Sequence, residues 1–370
     1  MTHFEIRRDE PLKPFTTFKV GGPALFFADA ATRDDFLQAL RFARQKDLYV
    51  FLLGGGSNIL VSDSGFQGLA IHPVQRGVAI ETEESEKALL RIEAGEPWDE
   101  VVRRAVEEGL WGIENLSHIP GQAGAAIVQN IGAYGQQISD VFKSATVLQV
   151  ASGNLLKLCA ADCGFGYRKS IFNSSARNDF IILQLELALN RRARLDLRYP
   201  DVQDIFIERG IERPSLQQVR DAIIEIRDRK FPFPREEKGG NAGSFFKNLV
   251  LSEAEFEVLY ANIHRNFSTA EWTRLEEISK RSRAGGPVKI PTAFLIEICD
   301  LKGQHEGGAR VNETQPLVLL NDGGATAHDV LTLAGRVRRT VHARTGMTIS
   351  LEPELVGFSP EQVEEYLALR

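Results

Sequence analysis

LGGGSNILVSDSGFQG, residues 53 to 68, decides the fold. It overlaps YVFLL (49–53), an apolar run that predicts a buried strand. Before that comes DDFLQALRFARQKDL (34–48), whose apolar residues recur at helical spacing. Helix, strand and glycine loop in that order have the outline of a nucleotide-binding unit, but the continuation contradicts it. NILVSDSGFQGLAIH has strand-like runs broken by turn residues and no helical period. G-x-G-x-x-G needs a helix to follow, and the Walker loop needs Gly-Lys-Ser/Thr. What Gly54, Gly55 and Gly56 offer instead is main-chain N–H groups that approach a diphosphate with no Cβ in the way, beside Ser57 and Asn58 as side-chain partners. Taken alone, the loop serves equally well as a tight turn.

A second run shifts that balance. IPGQAGAAIVQNIGAYGQQI (119–138) has four glycines and four alanines in twenty residues, with Gln129, Asn130 and Tyr134 as polar tips. Such small residues let a backbone approach a flat or extended ligand, or let helices pack closely.

Around these runs the pattern mixes helix and strand. LLRIEA (89–94) predicts a short strand, and WDEVVRRAVEEGL (98–110) an amphipathic helix. Residues 144–189 are mostly strand-like, ending in FIILQLELAL. RRARLDLRYPDVQDIFIERGIERP (191–214) is charged and irregular, an insertion or a domain edge. SLQQVRDAIIEIRDRKF is a helix opened by Ser215 as N-cap. FPFPREEKGGNAGS then breaks the chain, which puts a border near 228–240. Beyond it, PTAFLIEICDLKG is a helix between Pro291 and Gly303, PLVLLN a strand, TAHDVLTLAGRVRRTVHARTG a long helix closed by Gly346, and MTISLEPEL a late strand. The class is α+β, in three lobes.

Bulk composition is that of a soluble globular protein: 370 residues, 43% hydrophobic, 25% charged, formal charge −6. That charge supplies no general attraction to nucleic acid. Cys159, Cys163 and Cys299 make an odd set that fits a reducing cytoplasm better than a disulfide framework, and no second Cys/His pair supports a metal site. MTHFEIRRDEPLKPF lacks the apolar core of a signal peptide, and no run is long enough for a membrane span.

The two glycine-rich runs together resemble the flavin-contacting segments of the UDP-N-acetylenolpyruvoylglucosamine reductase family. Further matches follow in order: PFTTFKVGGPA (14–24), CGFGYRKSIF (163–172), GNAGSFFKN (240–248) and SLEPEL (350–355), so the resemblance runs from Pro11 to Phe358. It implies a two-lobed FAD-binding unit of the vanillyl-alcohol-oxidase (PCMH) type, drawn at 1–72 and 73–227. A C-terminal α+β substrate-binding domain follows at 228–347, and 348–370 packs back on the flavin unit. It implies non-covalent FAD, held by Gly54, Gly55, Gly56, Ser57, Asn58, Ile119, Gly121, Gly124, Gln129, Asn130 and Gly132. NADPH is the implied reductant. The implied reaction reduces an enolpyruvyl ether on UDP-N-acetylglucosamine to the lactyl ether of UDP-N-acetylmuramate, a cytoplasmic step toward peptidoglycan.

The same resemblance assigns roles at the reacting carbon. Hydride reaches the methylene carbon from flavin N5 and leaves an enolate beside the carboxylate. Arg168 is the match for the group that holds this charge, as a guanidinium presents a rigid fork of donors and stays charged. Glu354 matches a catalytic glutamate, expected protonated or polarising a donor, with a pKa raised by burial. Glu352 is its confounder, two residues away and on the same face if the segment is a strand. Ser244 matches the proton donor. GNAGSFFKN has neither the G-x-S-x-G pattern nor a nearby histidine base, as a serine that gives a proton requires neither. Tyr134, Arg227, Lys230, Asn248 and Gln315 align with substrate-nucleotide contacts. Arg227 and Lys230 stand one helical turn apart. Tyr199 matches a tyrosine on a loop of the longer subclass of the family, and about two residues are inserted in FPFPREEKGG.

Residue by residue, plainer readings exist. Arg168 can be a surface arginine beside Lys169, Ser244 a turn serine bonded to its own backbone, and Arg227 and Lys230 a solvated helix face. Two other functions stay open at this point: a different PCMH-type FAD oxidase or dehydrogenase acting on a hydroxy acid or alcohol, and a non-catalytic nucleotide-sugar-binding protein.

Overall fold

The computed structural model of the chain describes residues 4–84, 86–230, 240–282 and 287–369. Its helices and strands gather into two compact units. The first comprises Met1–Glu10, Ala24–Gly55 and Gln67–Arg229; the second comprises Pro11–Pro23, Gly56–Phe66 and Lys230–Arg370. The split leaves the glycine loop itself divided, with Gly54 and Gly55 in the first unit and Gly56 onward in the second. The break FPFPREEKGG lies outside the described residues through position 239.

The first unit holds two sheets. One has four strands in the order Ile6–Pro11, Pro23–Ala30, Phe66–Pro73 and Val50–Leu52, the last two parallel. Helix Arg33–Gln45 lays Phe36, Ala39, Leu40 and Ala43 on it, against Ala28, Leu69 and Ile71. Thr32 starts the helix through a reciprocal cap with Asp35. Val50–Leu52 is half-buried where the sequence predicts a buried strand, because it forms the sheet edge and Tyr49 beside it is exposed.

The other sheet is antiparallel, in the order Leu155–Cys159, Phe142–Gln149, Phe180–Asn190, Lys87–Glu93 and Val78–Glu84. Helix Trp98–Glu107 and the short helix Ala123–Val128, which carries the second glycine run, pack on one hydrophobic cluster with it. Alternation along Phe180–Asn190 sends Leu185, Leu187 and Leu189 into that core, and the register shift opposite Thr146 and Val147 brings Ile182 to it as well.

A smaller cluster joins helices Pro200–Glu208 and Leu216–Lys230 to Tyr134. The first of these corrects the irregular reading of 191–214. Pro200 pre-sets the first turn, and Val202, Ile205 and Phe206 bury one helical stripe despite the charged flanks. Ser215 caps the second as expected, accepting Gln218 N–H at 3.3 Å.

The second unit is organised by helix Ala327–Thr345, which buries Val330, Leu331, Ala334, Val337 and Val341 and ends on Gly346 at φ +74°. Around it lie helices Glu253–Asn266, Thr292–Ile298 and Pro360–Leu367, and Phe18, Phe245 and Phe246 complete the same core. The late strand is shorter than predicted. Only Glu354–Val356 is strand, paired in parallel with Ile59–Val61, as Pro353 sits in a bend before it. Glu352 therefore lies outside that strand, and the shared-face expectation for the two acids does not apply.

Candidate active site

In the first unit the two glycine runs touch. A Cβ on Gly55 would stand 2.6 Å from Gly121 Cα, and one on Gly54 would stand 3.1 Å from Ala125 Cβ, so side chains here would push the segments apart. Gly124 likewise faces Ala94, at 2.9 Å from where its Cβ would be. Ile119 precedes this contact, and Gln129 closes the Ala123–Val128 helix as its C-cap residue. Past the helix, Asn130 donates to Gly166 O at 2.9 Å and accepts Ser139 N–H at 3.2 Å. That bond ties the second glycine run to the 163–172 motif.

Arg168 closes the link from the other side. Its Nη2 donates to Gly132 O at 2.8 Å, while its own carbonyl accepts from Asn173 Nδ2 at 3.1 Å. Arg168, Asn130, Tyr134 and His118 all have positive φ, between +41° and +59°. Non-glycine residues in the left-handed region carry strain that persists only where the surroundings impose it. All four fall within the 118–134 and 163–172 segments.

Tyr134 and Tyr199, widely separated in sequence, meet edge to face with ring centroids 5.1 Å apart. Burial raises the Tyr199 phenol above its ordinary pKa, with Asp201 adding to the effect. Arg227 belongs to the same group. Its Nε donates to His118 O at 2.7 Å, and burial pulls its guanidinium pKa down against the opposing pull of Tyr134, Asp99 and Asp228. The solvated-face reading therefore fails for Arg227.

In the second unit, Ser244 starts a strand-like segment running between two others. It bridges to Val318, Phe245 N–H donates to Leu317 O at 2.7 Å, Phe245 O accepts Glu352 N–H at 2.9 Å, and Lys247 N–H donates to Ser350 O at 2.9 Å. Glu354 N–H donates to Asn58 O at 3.0 Å, and Asn58 Nδ2 donates to Glu352 O at 3.3 Å. Thr17 Oγ1 donates to Asn241 O at 2.6 Å and its N–H to Gly56 O at 3.1 Å. The PFTTF, GGGSN, GNAGS and LEPEL motifs are thus one hydrogen-bonded assembly, with Ser57 in the turn between Gly56 and Asn58. Ser244 and Glu354 are both half-buried within it.

The remaining residues take supporting places in this unit. Gln315 O accepts the N–H of Val318, the residue opposite Ser244, at 2.9 Å. Lys230 O accepts from Asn312 Nδ2 at 3.0 Å and Thr314 Oγ1 at 2.8 Å. Asn248 Oδ1 accepts Thr292 N–H at 3.1 Å, at the start of helix Thr292–Ile298.

Two family models match the chain: an FAD binding domain over residues 24–158, and the UDP-N-acetylenolpyruvoylglucosamine reductase C-terminal domain over 234–356. The UDP-N-acetylenolpyruvoylglucosamine reductase of Pseudomonas syringae pv. syringae is 40% identical over 344 residues, covering 93% of this chain and 97% of the relative. The chain belongs to the UDP-N-acetylenolpyruvoylglucosamine reductase family. The reductase of Pseudomonas aeruginosa is 37% identical over 95% of the chain and 99% of its own length. In fold, this family member is similar to the MurB crystal structure from Thermus caldophilus, with TM-score 0.60 and 24% identity over 96% of the chain and 99% of that structure.

The residues present fit the flavin that this membership implies. The Gly54–Gly55 turn packs so closely on Gly121 and Ala125 that a Cβ on either glycine would push the two runs apart, so the paired glycine backbones that an extended dinucleotide needs depend on these residues. Among the described residues no cluster of His, Cys, Asp or Glu could hold a metal ion, and no helix is long and apolar enough to cross a membrane.

A support that sequence reasoning missed lies beneath Arg227. Asp99 receives Arg220 Nη1 and Nη2 at 2.8 and 2.9 Å and His118 N–H at 2.6 Å, and His118 Nε2 lies 2.8 Å from Asp228 Oδ1. Burial pushes the Asp99 carboxyl up, but the Arg220 bonds and the His118 N–H outweigh it and hold the pKa below the ordinary value. With Asp99 and Arg220 121 positions apart, no local spacing signals the pair.

Proposed function

We propose that the chain reduces UDP-N-acetylenolpyruvoylglucosamine to UDP-N-acetylmuramate with NADPH, in the cytoplasmic synthesis of peptidoglycan precursors. The observation that carries this reading is 40% identity with a named reductase over 93% of the chain, together with the matched FAD binding and reductase C-terminal domains. When bound, FAD supplies the means to move a hydride from NADPH to the enolpyruvyl carbon.

The chain's own residues do the rest. Arg168 holds the substrate carboxylate, where negative charge grows during reduction. Its bond to Gly132 O fixes the guanidinium in advance, so its fork costs little reorganisation as the charge develops. Ser244 gives its hydroxyl proton to the carbon beside that carboxylate, and the new C–H bond discharges the enolate. The ladder on both sides of residues 244–247 holds it in place. Glu354 polarises the donor. Tyr134, Tyr199, Arg227, Lys230, Asn248 and Gln315 bind the nucleotide and its diphosphate. We assign the flavin lobes to 1–72 and 73–227 and the substrate domain to 228–347. The pairing of Glu354–Val356 with Ile59–Val61 joins residues 354–356 to the 1–72 segment, while helix Pro360–Leu367 packs on helix Ala327–Thr345.

The purified protein should be yellow and should oxidise NADPH rapidly only when the enolpyruvyl sugar nucleotide is added. A colourless protein that releases no FAD on denaturation, or a rate that depends on simple hydroxy acids instead, contradicts the proposal.

A further inference from the structure

Gln122 lies inside the second glycine run, yet neither the glycine pattern nor the reaction accounts for it. It is buried. Its main chain borders Gly55, whose Cβ would stand 3.2 Å from Gln122 N, and its Oε1 lies 3.6 Å from where a Cβ on Gly54 would be. The other end of the amide points away, to a second pair of groups. Gln122 Nε2 donates to Pro73 O at 3.0 Å and lies 3.3 Å from His72 Nε2. His72 Nδ1 is 2.8 Å from Asp29 Oδ1, and Asp29 Oδ2 accepts Arg7 Nη2 at 3.0 Å. All of these residues belong to the first unit.

Donor and acceptor counting fixes the chain of bonds. Asp29 is an acceptor, so the proton of a neutral His72 sits on Nδ1 and leaves Nε2 as an acceptor for the Gln122 amide N–H. Oε1 is thereby turned toward Gly54. If His72 takes a second proton, Nε2–H faces Nε2–H. The amide must then turn over, giving up Pro73 O and presenting its nitrogen to the turn. We propose that Gln122 positions the Gly54–Gly55 turn for FAD, that neutral His72 holds it in the binding orientation, and that protonation of His72 weakens FAD binding. The inference rests on the flavin reading and adds a residue and a control to it.

The charged groups facing His72 are Asp29 and Arg7 on neighbouring strands and Arg76 after its own strand. Burial lowers the imidazole pKa, Asp29 opposes this, and Arg76 and Arg7 add to the lowering, with a net shift below the ordinary value. The loss of FAD affinity therefore falls on the acid side, below about pH 6.5, and its steepness is bounded at about tenfold per pH unit for one proton.

The test is titration of the full-length apoprotein with FAD, followed by flavin fluorescence, from about pH 5 to about pH 8. The wild-type Kd should rise at least about fivefold toward the acid end. His72→Asn should flatten the profile, and Gln122→Ala should bind FAD about tenfold more weakly than wild type at neutral pH. A flat wild-type profile, a His72→Asn protein that keeps the wild-type profile, or a Gln122→Ala protein that binds as tightly as wild type overturns the proposal. The wild-type profile needs no variant, so misfolding of a variant does not shelter it. Wild-type apoprotein that binds no FAD at any pH overturns the flavin reading itself.

Discussion

Replacing Asp99 with Ala should cost the protein more stability than any surface charge deletion. Arg220 has 7% of its side chain exposed and Asp99 18%, and the two are joined by a pair of hydrogen bonds at 2.8 and 2.9 Å. Removing the carboxylate leaves the guanidinium buried without its counter-charge, a loss of about 3–5 kcal/mol. His118 N–H loses its 2.6 Å acceptor as well, for about 1 kcal/mol more. The net is at least about 3 kcal/mol, read by urea unfolding at neutral pH. The sign with pH follows from the carboxyl's lowered folded-state pKa. Its contribution is fully present above the unfolded value of about 3.9 and is lost as pH falls through the folded value, so the gap between wild type and variant narrows in acid. Because His118 O anchors Arg227, KM for the sugar nucleotide should rise while the NADPH half-reaction is spared. A stability loss under about 1 kcal/mol, or a gap that does not shrink in acid, would refute the reasoning.

Gly55→Ala forces a methyl group to within 2.6 Å of Gly121 Cα, so FAD affinity should drop at least about tenfold, seen as a lower flavin-to-protein absorbance ratio after dialysis. Unchanged flavin content would show that the two runs separate freely. Arg168→Lys keeps the charge and loses the fork, so flavin reoxidation by the enolpyruvyl substrate should slow about a hundredfold or more, with little change in reduction by NADPH, in stopped-flow absorbance. Equal slowing of both steps would place Arg168 in flavin binding instead of substrate binding.

Elements with one dominant period were legible in the sequence. Helix Ala327–Thr345 shows an apolar stripe and a closing Gly346 where expected, and Thr326 caps its start in a reciprocal bond with Asp329. Helix Pro200–Glu208 was hidden because charges on both sides mask a stripe of only three buried residues. The run 347–355 looked like a strand from its apolar start, but Pro353 lacks a ladder donor and delays pairing until Glu354. In the site, the ordered motifs located Arg168, Ser244 and Glu354 on hydrogen-bonded segments. The Asp99–Arg220–His118 support and the Asp29–His72–Gln122 chain were invisible, as their members meet only through tertiary packing. Glycine spacing signals where a backbone comes close, but not which side chain holds it there.

The half-reactions of Ser244→Ala test the central claim most directly. Reduction of the bound flavin by NADPH should proceed at nearly the wild-type rate, while reoxidation by the enolpyruvyl sugar nucleotide should slow by about two orders of magnitude or more, the range expected for losing a positioned proton donor. Equal losses in both half-reactions, or reoxidation at the wild-type rate, would contradict Ser244 as the group that gives the proton.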